Sequence, residues 1–293
     1  MSGKKLQGTF LIQPRSVHVW GGAWHALAFS LSGSGAAFYS YVASLDSGGP
    51  GSVLEPLAIG LVFLGALIIF ALELTYRGVF LKYFFVNLAR SWISRGVTAL
   101  LFFGILSVIA FLIGSFSPER ESLTRILSLI AVLAALLVII YPGLVLSSTP
   151  VPYWRTSLLP VEFLVSSAAG GLAILLLVQV LGGMSAPAIP VPATLASLLA
   201  IGLLLHGIHL GQIAESTRRE TIELLLRGKL RIWFIGGYMI IGVLIPVVLS
   251  VVGPSLDGAA RTGVLLLAGI LALLGIFSQR YGLLSAGIKP ALI

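Results

Sequence analysis

Long apolar stretches alternate with short polar breaks along the whole chain. A transmembrane helix needs about 20 predominantly apolar residues. Runs of that kind occupy roughly 17–45, 53–76, 93–116, 123–146, 158–181, 191–214, 231–252 and 262–286. Between them stand helix-breaking clusters: DSGGPG at 46–51, SPER at 117–120, STPVP at 148–152 and APAIPVP at 186–192. Backbone groups in lipid must be satisfied within their own segment, so all eight runs predict helices. The first is long enough to hold an interfacial turn near Gly21 and Gly22. The expected fold is all-α and polytopic, with two packed four-helix bundles, in a single integral membrane domain covering 1–293.

Two connecting segments are longer than a tight turn requires. Residues 77–92 are basic and aromatic, as in a helix lying along lipid headgroups. Residues 215–230 carry mixed charges in an amphipathic pattern. Each reads either as a membrane anchor or as a docking platform for a peripheral subunit.

Composition sharpens this picture. The chain is 58% hydrophobic and 10% charged, with mean hydropathy +1.07. A soluble domain carries about 25% charged residues, so no sizeable soluble domain is expected. The absence of cysteine excludes disulfides and any iron–sulphur cluster held by this chain's thiolates. The net charge of +8 does not point to nucleic acid, because the basic residues flank the spans. With eight spans, 15 of the 18 basic residues fall on the side of the two termini, leaving Arg120, Arg125 and Arg261 opposite. The positive-inside rule makes the terminal side cytoplasmic, in a multi-pass plasma-membrane protein.

The polar residues inside the spans are unevenly distributed. His25, Glu73, Arg95, Tyr141, Glu162, His206, His209 and Arg280 all fall toward the terminal side. The opposite half is almost wholly Leu, Ile, Val, Ala and Gly. A charge at mid-helix costs about 2.5–3.5 kcal/mol on insertion scales, so such residues mark sites or pathways. A quinone head group needs hydrogen-bond partners at two carbonyls and a proton donor or acceptor near each. Histidine, tyrosine and a carboxylate supply these. Plainer roles compete: Tyr141 as an interface anchor, Glu73 paired with Arg77 one turn on, Arg95 snorkelling, and Glu162 paired with Arg155 or Arg280. The histidines also allow a bis-His haem, with one of His206 and His209 facing His25, as in a cytochrome b-type subunit. A secondary transporter or proton-translocating module is a further alternative, but it expects polar residues and broken helices near mid-bilayer. Gly33 with Gly35, Gly170 with Gly171, and Gly236 with Gly237 are small-residue positions suited to close helix contact. No hydrolase triad, phosphate loop or zinc motif is apparent.

Several segments carry a resemblance. WGGAWHALAFSLSGSGAAF, ELTYRGVFLKYFFVNLARSWISRG, IIYPGLVLSSTPVPYWRTSLLPVEFLVSSAAGG and RYGLLSAGIKPAL are similar to the polysulphide reductase membrane subunit (NrfD/PsrC) family. Anchor subunits of dimethyl sulphoxide and sulphite oxidoreductases are near neighbours of that family. The resemblance implies an eight-helix anchor exchanging electrons between a quinone, of menaquinone type or similar, and a ferredoxin-like iron–sulphur subunit. That subunit would connect to a molybdopterin catalytic subunit. On this pattern Tyr141 matches a quinone-contacting tyrosine, His25 falls at a polar first-helix contact and Glu73 at an acidic position after the second helix; in a quinone site those two are expected to carry the protons. Glu73-Leu74-Thr75-Tyr76-Arg77-Gly78 stands where the family carries an Asp-Leu-Gly-Arg-Pro-like string. His25 stands where an amide is common. The resemblance also implies outer-face docking in several members, whereas the charge count places the polar end inside.

Overall fold

The computed structural model describes residues 22–44, 52–73, 91–182 and 189–287. They form α1 (Ala23–Ser44), α2 (Leu54–Glu73), α3 (Trp92–Phe116), α4 (Glu121–Ser147), α5 (Leu158–Val180), α6 (Val191–Gln212) and α7 (Glu215–Leu226). A π-helical run, Ile232–Leu244, continues into the α-helical Ile245–Val252, and the two together make α8. Finally, α9 covers Gly258–Ser285. Among the described residues there is no strand. The chain is an all-α, multi-pass membrane protein, as its apolar runs predict. The 74–90 connection and the side chain of Glu73 lie outside the described residues.

Seven of these helices are long and apolar enough to cross a membrane: α2 to α6, α8 and α9. The eighth predicted span, α1, has the length, with 22 residues or about 33 Å. Its composition differs because its surroundings differ. Protein encloses it on most sides, and buried Ser30, Ser32, Gly33, Ser34 and Gly35 line it. Ser30 Oγ donates to Ala26 O at 2.7 Å and Ser32 Oγ to Ala28 O at 2.9 Å, so these hydroxyls are satisfied within the helix. Gly22, at φ 92, takes the left-handed turn expected just ahead of this helix.

The helices can be taken in two groups, α1 to α4 and α5, α6, α8 and α9, which meet where α1 packs on α5 and α9 and where α4 packs on α5. Glycine makes that seam possible. A Cβ on Gly171 would lie 2.6 Å from Phe38 N; within the first group, one on Gly35 of α1 would lie 2.8 Å from Leu61 Cβ of α2. Gly33 faces the Ser167 hydroxyl and Gly170 faces that of Ser34. In α8, Gly237 abuts Ser278 and Gly242 meets Gly275 of α9 backbone to backbone, whereas Gly236 faces open space. These are the small-residue contacts that membrane helices use in place of a hydrophobic driving force.

Outward faces carry Phe102, Ile105, Leu133, Leu204 and Val251, exposed as lipid requires. The amphipathic segment before α8 is indeed helical. In α7, Thr217, Thr221 and Leu225 turn inward at i, i+4 and i+8, while Arg219, Glu220 and Glu223 remain exposed.

Candidate functional site

The connection 148–157 folds over one end of the second helix group. Two prolines, Pro150 and Pro152, prevent it from continuing α4, and a short turn follows, with Trp154 N bonded to Val151 O at 3.0 Å. Tyr153 and Trp154 are each only 1% exposed. Trp154 Nε1 donates to Leu283 O at the end of α9 at 2.9 Å. Thr156 Oγ1 donates to Gln212 Oε1 at the end of α6 at 2.8 Å. At the same end, Gly143 of α4 lets Pro160 of α5 approach, a Cβ there falling 2.6 Å from Pro160 Cα.

Beneath this cap lies a cluster of ionisable groups. Glu162, in the second turn of α5, is 1% exposed. His206 and His209, three residues apart on α6, present their rings to it. His206 Nδ1 lies 3.0 Å from Oε2 of Glu162 and His209 Nδ1 lies 2.7 Å from Oε1, so each carboxylate oxygen serves one imidazole. The outer nitrogens meet Tyr153. His209 Nε2 is 2.6 Å from the Tyr153 carbonyl oxygen, and His206 Nε2 is 3.4 Å from its hydroxyl. The Tyr153 ring stacks on His209, with centroids 5.0 Å apart. Phe234 and Tyr238 of α8 close the far side of His206, at 5.5 and 5.6 Å. Burial, then the neighbouring charge of Glu162, pushes the Tyr153 phenol well above its ordinary pKa, so it remains a neutral hydroxyl.

Arg280 of α9 is also buried, at 2% exposure. Its Nη2 donates to Ser167 Oγ at 2.7 Å and more distantly to Ser166 Oγ at 3.3 Å. The guanidinium lies 4.2 Å from the centroid of the Phe163 ring. Such stacking compensates part of the cost of burying a cation. Glu162 therefore pairs with the two histidines, and among the described residues neither Arg155 nor Arg280 forms a salt bridge to it.

The first helix group carries the other predicted residues. Tyr141, two turns from the end of α4, lays its ring on Gly96 of α3. Arg95, in the first turn of α3, stacks over Trp92 at 4.5 Å. Below Arg95 runs a groove of about 510 Å³ between α3 and α4, lined by Thr98, Phe102, Leu106, Leu133 and Leu137 among others. His25 is half-buried in the first turn of α1. The predicted polar residues thus fall into separate assemblies. Glu162, His206 and His209 touch one another, Arg280 bonds the next turn of α5, and Tyr141 and Arg95 share the α3–α4 end.

Sequence reasoning missed Tyr153 and Tyr238. Tyr153 had one available signal: an aromatic pair inside a proline-bounded loop, which a solvent-facing turn does not favour. Nothing in the local sequence marks Tyr238, which enters the site only through the packing of α8 on α6.

No curated protein matches this chain. A family model described as "Polysulphide reductase, NrfD" matches residues 12–290. The match covers nearly the whole chain, and the chain belongs to the NrfD (polysulphide reductase) family.

Proposed function

We propose that this chain is the quinone-reactive anchor of a respiratory iron–sulphur/molybdopterin oxidoreductase, exchanging electrons between the quinone pool and a docked ferredoxin-like subunit. Membership of the NrfD family supports the coarser part of this reading, a membrane subunit of a quinone-linked oxidoreductase. The observation that carries the finer part is the α3–α4 groove. It is apolar along its length and has Arg95 among its lining residues, at the end where Tyr141 packs on Gly96. An isoprenoid tail fits the apolar length, and a head group fits the polar end, as expected for a pocket with few convergent polar groups.

In this reading Tyr141 orients the head group by a hydrogen bond, and Arg95 offers guanidinium donors to a quinone carbonyl. His25 and Glu73 accept the two protons released when quinol is oxidised, while the two electrons pass to a cluster docked above. The exposed face of α7, with Arg219, Glu220 and Glu223, is part of the docking surface. Both termini face the cytoplasm on the charge rule. Haem is the weaker reading, because Tyr153 covers the Nε2 atoms of both His206 and His209.

Purification of the chain from its native membrane tests the assignment. The expected result is co-purification of a cluster-bearing subunit and quinol oxidation by the complex. An isolated chain without redox partners, and with no quinol turnover in its membranes, would overturn it.

A further inference from the structure

We propose that Glu162, His206 and His209 form a binding site for a divalent transition-metal ion of zinc type, linking α5 to α6 beneath the Tyr153 cap. This proposal is independent of the quinone reading, which places the head group in the other helix group.

A carbonyl oxygen only accepts hydrogen bonds, so the 2.6 Å contact to Tyr153 O requires a proton on Nε2 of His209. The neutral ring then turns the lone pair of Nδ1 toward Glu162 Oε1, 2.7 Å away. Two lone pairs at that distance repel unless a cation lies between them: a second ring proton, making the ring an imidazolium, or a metal ion. Nδ1 of His206 faces the other carboxylate oxygen at 3.0 Å, and its Nε2 faces the Tyr153 hydroxyl. Both rings therefore direct the same nitrogen inward and anchor the other on an outer partner. That is how metal-ligating histidines are held, the outer hydrogen bond fixing tautomer and ring orientation.

The donor set and spacing fit. One ligand atom from each residue can be chosen so that all three lie within 4.8 Å of one another. Bonds of about 2.0–2.1 Å at the tetrahedral angle place ligand atoms about 3.3 Å apart, so an ion would open the His209–Glu162 contact from 2.7 Å by about 0.6 Å and the His206–Glu162 contact from 3.0 Å by about 0.3 Å. Two imidazoles and a carboxylate suit zinc and its first-row neighbours and are poor ligands for calcium or magnesium. Three protein ligands leave one position for a small donor.

No local motif announces this site, because the carboxylate comes from α5 and the histidines from α6. The pair His206 and His209 at i and i+3 is too short a pattern to stand alone.

The test is metal analysis of the full-length chain, without a histidine tag, purified in detergent free of chelator. The expected result is about one zinc per chain, removed by prolonged chelation and restored by titration with zinc. Cobalt taken up in its place should show the visible ligand-field bands of a four-coordinate site. His206→Ala and His209→Ala should each lose the ion, whereas Tyr141→Phe should keep it. Should the histidine variants fail to fold, zinc-edge X-ray absorption on the unaltered chain decides, with two imidazoles and oxygen expected in the first shell. A folded chain that carries no divalent ion and takes none up overturns the proposal. So does zinc retained by the double histidine variant, or an all-oxygen shell.

Discussion

His209 is held between Glu162 and Tyr153, with Nδ1 2.7 Å from the carboxylate and Nε2 2.6 Å from the backbone carbonyl. One ring thereby joins two spans and the loop that caps them. Removing it leaves a buried carboxylate with half of its partners and a carbonyl with none.

His209→Ala should therefore destabilise the second helix group by about 1–3 kcal/mol, the cost of leaving a buried polar group without its partner. Pairing it with Glu162→Leu should recover part of that loss, because the stranded charge disappears with its partner. Thermal unfolding of the detergent-solubilised single and double variants measures the coupling. Simple addition of the two losses would mean that the contact carries no mutual stabilisation.

Much of this was legible in the sequence, within a definite limit. Apolar run lengths located the seven most apolar spans to within about four residues over the described residues, because lipid imposes one rule on all outward faces. Counting residues from each span's end also gave the depth of Glu162, His206, His209 and Arg280. Depth along a helix does not give the azimuth, however. The division of Tyr141 and Arg95 from the Glu162 cluster depends on which faces α4 and α5 turn to each other where Gly143 meets Pro160, a tertiary contact. Tyr153 escaped notice for a related reason. Its burial comes from Trp154 and Thr156 tying the loop to α9 and α6, partners more than fifty residues away.

The loop's anchor yields a graded prediction. Trp154 is 1% exposed, and Gly287 lies against its ring, where a Cβ would fall 2.5 Å from Cζ2. Trp154→Ala should cost about 3–5 kcal/mol through the cavity it leaves. Trp154→Phe retains most of the volume and loses the bond to Leu283 O, worth about 1 kcal/mol, in addition to a smaller packing loss. Limited proteolysis within 148–157, compared across the two variants, reports whether the cap loosens in that order.

Glycine substitutions separate packing seams from lipid-facing positions. Gly171→Ala would force a methyl against Phe38 N and the backbone of Ala37, neither of which can rotate away. A loss of about 1–3 kcal/mol is expected from overpacking the α1–α5 seam. Gly207, on α6, has open space for at least 4 Å around the place a methyl would take. Gly207→Ala should be neutral or stabilising by up to about 1 kcal/mol, the difference in helix propensity. Equal effects at the two sites, read from unfolding midpoints, would contradict the packing described for α1.

Tyr141→Phe distinguishes chemistry from structure at the α3–α4 end. The ring rests on Gly96, and phenylalanine keeps that contact while removing only the hydroxyl. Assembly and unfolding temperature should therefore stay close to those of the unaltered chain. Quinol turnover should fall by about tenfold or more, since a lost hydrogen bond that orients the reacting group is worth roughly 1.4 kcal/mol per factor of ten. Gly96→Ala acts on the same ring differently, by displacing it. It should lower turnover together with stability, so the two variants separate a hydroxyl that binds the head group from a ring that only fills space. Unchanged turnover in Tyr141→Phe alongside reduced turnover in Gly96→Ala would assign Tyr141 to packing and remove it from the quinone site.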